Sequence, residues 1–173
     1  MTVERSSSQP AAGLMLDTTE FNAVAKGQVA VSAYAGRRLF ATHAQLDELE
    51  NTAGEQLRAQ LRAAFEEIAA ENLPTESAVW DVSKSDQAKW PAENGIFEGM
   101  LARLQELDGR TRQPNQFRDI LIAETAIKNG LTLVSGDRNL RRVTTEFGGC
   151  AIETPRSGSV KMRARGRVLL AGW

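Results

Sequence analysis

The sequence is poor in the residues that build disulfide frameworks and zinc sites. It has one cysteine, Cys150, and one histidine, His43, in 173 residues. A single cysteine forms no intrachain disulfide, and this pair of residues excludes zinc sites that need several Cys and His ligands. The cysteine content favours a reducing, cytoplasmic compartment. His43 lies near the edge where a site is expected, but a lone histidine is more often structural than functional.

Long apolar runs are also missing. No stretch approaches the roughly 20 apolar residues that cross a bilayer. The first twelve residues are polar and rich in Ser, without the apolar segment of a secretory signal. We therefore expect no membrane segment, and we expect residues 1–12 to be disordered.

Charge is unevenly distributed, although the formal net charge is only −1. Residues 156–173 hold five of the 21 Lys and Arg residues and none of the 22 Asp and Glu residues. A basic tail on an acidic body indicates contact with nucleic acid or an acidic partner, or else a solvated terminal segment without a role. We separate this tail from a single globular domain at residues 13–155.

Short apolar segments alternate with helical patterns along the domain. Strands are predicted at residues 13–16, 38–41, 77–82, 131–134 and 150–153. Helices are predicted at residues 18–26, 45–52, 55–72, 83–90, 93–107, 115–129 and 138–147. Thr42 and Gln45 have the spacing of a capping box at the start of the helix that follows the second strand. Asn115 is the predicted N-cap of the helix that precedes the fourth strand. The alternation predicts an α/β fold, a three-layer α/β/α sandwich with a mainly parallel sheet of about five strands.

Acidic residues follow the predicted strands. Asp17 follows the first strand, Asp137 follows the fourth, and Asp119 lies near the start of the helix that precedes the fourth strand. In a parallel sheet these positions meet at the carboxyl edge, where ligands bind. Each acid also has a structural explanation, either as a helix N-cap or as a first-turn acid that the helix dipole favours.

Glu48 is a further candidate, near the start of the helix after the second strand. Its neighbours Asp47 and Glu50 compete for the same role, and helical periodicity does not choose between them. Clustered carboxylates repel one another unless a cation lies between them. Mg²⁺ or Mn²⁺ prefers such oxygen ligands, and the resulting site suits phosphodiester hydrolysis.

Four segments, in this order, resemble the PIN domain, and most of all the ribonuclease toxins of VapC type. They are residues 14–18, 41–49, 118–126 and 131–140. The resemblance covers about residues 13–155. It implies an α/β/α sandwich, Mg²⁺- or Mn²⁺-dependent endonucleolytic cleavage of RNA and a cognate antitoxin as partner, and it allows a homodimer.

The resemblance also implies roles for single residues. The expected catalytic and metal-binding residues are Asp17, Glu48, Asp119 and Asp137. Residues expected to support the acids or to contact RNA are Thr18, Ser135, Asn139, Arg118 and Arg138. Two positions depart from the family pattern: Thr19 stands where many members have Asn, and Gly136 where Thr or Asn is frequent.

Two other functions compete with this interpretation. One is a PIN-like RNA-binding module without catalysis, which uses the basic tail. The other is phosphoryl transfer with Asp17 as nucleophile, but the sequence lacks the second acid of the Asp-x-Asp pair that this reaction uses.

Apolar residues in 18–35 and 54–72 are explained either by core packing or by a dimer or antitoxin interface.

Overall fold

The computed structural model describes residues 13–68, 70–76, 95–109 and 113–154. The elements in chain order are β1 (Leu14–Leu16), α1 (Thr18–Ala25), a 3-10 helix (Val31–Tyr34), β2 (Leu39–Thr42), α2 (His43–Glu50), α3 (Glu55–Ile68), β3 (Glu71–Leu73), α4 (Phe97–Asp108), α5 (Pro114–Lys128), β4 (Thr132–Ser135), α6 (Arg138–Glu146) and β5 (Cys150–Glu153).

The five strands form one sheet in the order β3-β2-β1-β4-β5, and every pair is parallel. β1 is central, with Met15 opposite Phe40 of β2 and Leu133 of β4. The strand order reverses between β1 and β4, and ligands in such sheets bind beyond the carboxyl ends at this point. The predicted parallel sheet is confirmed.

Helices cover both faces of the sheet, because neighbouring residues of each strand point to opposite sides. Met15 and Leu133 belong to a core that includes buried residues of α4, α5 and α6. Leu14, Leu16 and Val134 belong to a second core with buried residues of α1 and α3. The predicted three-layer sandwich is therefore confirmed.

The capping box at the start of α2 is also confirmed, and it connects α2 to β1. The Thr42 side chain accepts a hydrogen bond from the Ala44 amide at 3.2 Å, and the Gln45 side-chain oxygen accepts one from the Thr42 amide at 2.8 Å. The Gln45 side-chain nitrogen donates to the carbonyl of Leu16 at 2.7 Å. One buried side chain thus fixes the start of α2 against the end of the central strand.

Several predicted boundaries are wrong, and for two of them the structure gives a physical reason. The helix predicted at 55–72 ends at Ile68, and residues 71–73 form β3, which pairs with β2. Sheet pairing overrides the helical pattern here, and Glu71 also forms an ion pair with Arg38 at 2.8 Å. The N-cap of α5 is Gln113 instead of Asn115, because Pro114 takes the first helical position that proline favours.

Several predictions lie outside the described residues. They are the disordered segment 1–12, the strand at 77–82, the helix at 83–90 and the tail at 156–173. In the part of the chain that the structure describes, no helix has the length and apolar character needed to cross a membrane.

Replacing Gln45 with Met is expected to destabilise the fold by about 2–4 kcal/mol, because the Thr42 amide and the Leu16 carbonyl lose their buried partner. Urea unfolding followed by circular dichroism measures the change. Gln60→Met, at an exposed position of α3, is the matched control. Equal stability of the two variants would contradict the assigned role of Gln45.

Candidate active site

Asp17 lies at the end of β1 and is the N-cap of α1. Its side chain is buried and accepts hydrogen bonds from the Thr18 amide at 2.8 Å, the Thr19 hydroxyl at 2.9 Å and the Ser135 hydroxyl at 2.7 Å. Burial raises the pKa of Asp17 to about 6, although these hydrogen bonds act in the opposite direction. Asp17 therefore caps the helix and also brings a poorly solvated acid to the carboxyl edge.

Glu48 faces the same edge from α2. Its carboxylate accepts a hydrogen bond from the Thr18 hydroxyl at 2.8 Å, and its charge contributes to the raised pKa of Asp17. Glu50, a competitor in the sequence, is exposed to solvent. The contact with Thr18 brings Glu48 close to the other acids. Helical spacing alone did not distinguish Glu48 from its neighbours.

Asp119 lies in α5 and is surrounded by like charges. Its pKa is raised well above the ordinary value, first by burial and then by the charges of Asp17, Glu48, Asp137 and Asp108. The four acids expected from the sequence therefore lie within one electrostatic environment. Among the described residues, none of these four forms an ion pair with Lys or Arg.

Asp137 is the N-cap of α6. One carboxylate oxygen accepts from the amides of Asn139 at 2.7 Å and Leu140 at 3.0 Å. The Asp137 amide donates to the Ser135 hydroxyl at 3.0 Å, and this hydroxyl donates to Asp17. Ser135, the last residue of β4, thus joins two of the four acids through one oxygen atom.

Asp108 is a fifth acid, whose part in this cluster was missed in the sequence. It ends α4 and accepts hydrogen bonds from the side chains of Gln116 at 2.9 Å and Asn139 at 2.8 Å. These contacts join the end of α4 to the starts of α5 and α6, the helices that carry Asp119 and Asp137. An acid at a helix C-terminus opposes the helix dipole, which was the available signal in the sequence.

The two positions that depart from the family pattern contact each other. The Thr19 hydroxyl donates to Asp17 and accepts from the Gly136 amide at 3.1 Å. Thr19 therefore connects α1 with the loop after β4, and it supplies a polar contact to Asp17.

The basic candidates differ in their surroundings. Arg138 is exposed at the first position of α6, and Arg118 lies 3.4 Å from the Asn115 side-chain oxygen. Arg141 donates to the Ser135 carbonyl at 2.6 Å and lies 3.9 Å from Glu153. Arg141 thus holds the end of β4 and the end of β5 together.

Glu20 is a second buried acid in α1, apart from the four candidates. Glu20 is fully buried and accepts hydrogen bonds from the Tyr34 hydroxyl at 2.5 Å and from the Thr154 hydroxyl. Burial raises its pKa. Glu20 fastens the 3-10 helix and the end of β5 to α1, a role that the sequence pattern did not indicate.

The donor chemistry of the acids fits Mg²⁺ or Mn²⁺. Carboxylate oxygens are the ligands that these hard cations prefer, and the raised pKa values of Asp17 and Asp119 are typical of negative charge without a counter-ion. Within the described ranges, no three Asp, Glu, His or Cys side chains form a group that holds one ion. Mg²⁺ commonly keeps several waters and binds through one or two carboxylates, so the donor set remains suitable.

Comparisons with known proteins identify the fold. No family model matches the chain, and no curated protein matches it. Among the solved structures that overlap most of the chain, two have TM-scores of at least 0.50. A domain of a functionally unknown protein from Methanocaldococcus jannaschii has a TM-score of 0.52 and 12% identity, covering 85% of this chain and 94% of its own. A chain of the DNA-bound VapBC from Salmonella typhimurium has a TM-score of 0.50 and 18% identity, covering 82% and 98%. The protein therefore shares the fold of these two structures, which agrees with the PIN-like fold expected from the sequence.

The metal-free protein is expected to lose stability as pH rises from about 4 to about 6. Over this range folded Asp17 retains a proton that the unfolded chain releases, so the folded state binds more protons. The contribution of Asp17 is about 2–3 kcal/mol, and Asp17→Asn should remove it. Urea unfolding in EDTA across this range measures the difference between the two proteins. A difference that does not change with pH would contradict the raised pKa.

Asp119→Asn is expected to stabilise the metal-free protein by about 0.5–2 kcal/mol at neutral pH. The substitution removes an acidic group that is partly buried and surrounded by four other carboxyl groups. Chemical unfolding in EDTA provides the measurement, and Glu50→Gln, which removes an exposed carboxylate, is the control. Destabilisation of the Asn variant alone would show that the repulsion at Asp119 is minor.

Proposed function

We propose that this protein is a metal-dependent endoribonuclease, and that it is the toxin of a toxin–antitoxin pair. The observation that carries the proposal is the cluster of acids at the carboxyl edge of a parallel sheet. Within it, Asp119 is partly buried, and its pKa is raised first by burial and then by the charges of four neighbouring acids. Such a site attracts a divalent cation and suits phosphodiester chemistry. The fold shared with the VapBC structure from Salmonella typhimurium supports the proposal.

The residues that would hold Mg²⁺ or Mn²⁺ are Asp17, Glu48, Asp119 and Asp137. When bound, the ion would supply a water of lowered pKa and neutralise charge on the phosphate. Asp119 retains a proton more readily than an ordinary carboxyl, so ion binding has to displace it. We therefore expect ion affinity to increase with pH in the range where these acids titrate.

The chain itself orients the acids. The Ser135 and Thr19 hydroxyls fix one oxygen of Asp17, and the Thr18 hydroxyl fixes one oxygen of Glu48. Each of these donors lies at an end of its element, the start of α1 or the end of β4. Carboxylates fixed in this way need little rearrangement when a charged substrate arrives, which is the main contribution a protein makes to such reactions.

Substrate contacts are expected from basic residues next to the acids. Arg138 directly follows Asp137, and Arg118 directly precedes Asp119. Lys and Arg bind RNA phosphates without reading the sequence, and such contacts weaken as salt increases. We assign these two arginines to phosphate binding.

The partner would be an antitoxin protein, in a cytoplasmic setting. The apolar residues of α1 and α3 contribute little to such an interface, because Phe21 stacks on Phe65 at 5.0 Å and Leu61 and Ile68 are buried in the core. Leu57, with 36% of its surface exposed, is the large apolar side chain of α3 that remains for a partner or a second copy.

A catalytically silent RNA-binding module is the alternative. The observation in its favour is that no three metal-binding side chains group together in the described residues. The presence of all four expected acids favours the enzyme. Metal-dependent cleavage separates the two functions.

Purified protein is expected to cleave a mixed RNA substrate with Mg²⁺ or Mn²⁺ and not with EDTA. Asp17→Asn and Glu48→Gln should each lower the rate by about 100-fold or more, because even residues that only support a metal ligand cost 10–100-fold when replaced. Glu50→Gln, on the same helix as Glu48, should retain the rate.

Gel analysis of end-labelled RNA gives the rates. Cleavage that survives EDTA or the Asp17 substitution would exclude the acid cluster as the reaction centre. RNA binding without cleavage would favour the silent module.

A further inference from the structure

Asp108 lies where the ends of three helices meet. It is the last residue of α4, and Gly109, with a φ of 61°, ends the helix directly after it. One of its carboxylate oxygens accepts a hydrogen bond from the Gln116 side chain at 2.9 Å, and the other accepts one from the Asn139 side chain at 2.8 Å. Each oxygen is therefore paired with a different helix, α5 or α6.

The contact with Gln116 reaches the start of α5. Gln116 is buried, and its side-chain oxygen accepts a hydrogen bond from the Gln113 amide at 3.0 Å, as part of the capping box of this helix. Because its side-chain nitrogen donates to Asp108, both contacts form in only one orientation of the amide group. Asp119 follows Gln116 by three positions, so the two residues lie on the same side of α5. Asp108 thus fixes the turn that leads to Asp119.

The contact with Asn139 reaches the start of α6. The backbone amide of Asn139 donates to the Asp137 carboxylate at 2.7 Å, while its side chain donates to Asp108. One residue therefore links the two acids. The other end of α6 is held to α4 separately, by an ion pair between Glu146 and Arg103 at 2.7 Å. The contact at Asn139 thus fixes the end of α6 that carries Asp137.

An acid at the end of α4 has two costs. The C-terminus of a helix carries partial negative charge, which makes an acid in the last turn unfavourable. The charge of Asp108 also adds to the effects of burial and of three other acids that raise the pKa of Asp119. A neutral Asn would avoid both costs, but its NH₂ group would face the NH₂ group of Gln116 or Asn139. The two contacts therefore explain why a carboxylate stands here, and a residue that breaks a local rule is expected at a functional site.

We propose that Asp108 is a positioning residue of the acid cluster, which sets the place of Asp119 relative to Asp137 by pairing with Gln116 and Asn139. It acts through these two amides and is not assigned as a metal ligand. For its effect on catalysis the inference rests on the proposed function, in which Asp119 and Asp137 hold the ion. Replacing a group that orients metal ligands typically costs about 10–100-fold in metal affinity or activity.

A double-mutant cycle between Asp108 and Gln116 tests the pairing. Asp108→Asn places an NH₂ group against that of a neighbour, and Gln116→Glu places a carboxylate against that of Asp108. Each single variant is expected to lower Mn²⁺ affinity by about tenfold. The double variant moves the acid across the same contact, so that the new amide donates to the new carboxylate at unchanged total charge. Glu is also favoured at this position of a capping box, so the double variant should recover most of the lost affinity.

Electron paramagnetic resonance of free Mn²⁺ measures the affinity of the full-length protein, at a temperature where circular dichroism shows each variant to be folded. Glu98→Gln removes an exposed acid from the same helix and should keep the wild-type affinity. A role in stability alone would lower the urea midpoint of the single variants and leave the Mn²⁺ affinity of the folded protein unchanged. Wild-type affinity in both single variants, or a double variant as weak as they are, would overturn the proposal.

Residual dipolar couplings in EDTA give a second readout, which needs no metal. They measure the angle between α5 and α6, and α6 is expected to pivot about the Arg103–Glu146 ion pair when the contact at its start is lost. The angle should change in Asp108→Asn and return to the wild-type value in the double variant. An unchanged angle in Asp108→Asn would overturn the inference.

The outcomes separate this inference from the proposed function. A wild-type protein that binds no Mn²⁺ contradicts the metal-dependent nuclease, while an angle that changes in Asp108→Asn and is restored in the double variant still supports the positioning role. Metal-dependent cleavage, with the same angle and Mn²⁺ affinity in the wild type and in Asp108→Asn, retains the nuclease and overturns the role of Asp108. In a protein that binds Mn²⁺, a changed angle without a change in affinity also overturns it.

Discussion

The arrangement at the carboxyl edge depends on the hydrogen bonds that hold the buried Asp17 carboxylate. Its donors come from α1, through Thr18 and Thr19, and from β4, through Ser135. The Thr19 hydroxyl also accepts from the Gly136 amide, and the Ser135 hydroxyl accepts from the Asp137 amide. The loop after β4 is therefore fixed by the same groups that fix Asp17. One small network therefore determines the positions of two acids from opposite ends of the domain.

This network holds charges together that would otherwise separate. Burial and mutual repulsion raise the pKa values of Asp17 and Asp119, and hydrogen bonds lower that of Asp17 only in part. The fold tolerates the repulsion because helix caps and the contacts of Asp108 fix the helices that carry the acids. Proteins commonly retain such unfavourable local arrangements at functional sites, where stability is exchanged for reactivity.

Much of this organisation follows from local sequence. β1, β4 and β5 are short apolar segments that end near Asp17, Asp137 and Thr154, and the capping box of α2 is visible in four residues. β3 was not predictable in this way, because an exposed Glu-Asn pair becomes a strand only through its pairing with β2. The part of Asp108 in the cluster was not predictable for a similar reason, because its contacts form where the ends of three helices meet.

The long separation between partners at the site has a consequence for biosynthesis. Asp17 and Ser135 are 118 positions apart, and β1 lacks its neighbour β4 until that part of the chain has been made. Parallel pairing between such distant segments is slow compared with local folding. A nascent chain on the ribosome therefore carries Asp17 and Glu48 for most of its synthesis without an assembled acid cluster. The order of translation thus delays the formation of the site until β4 has emerged.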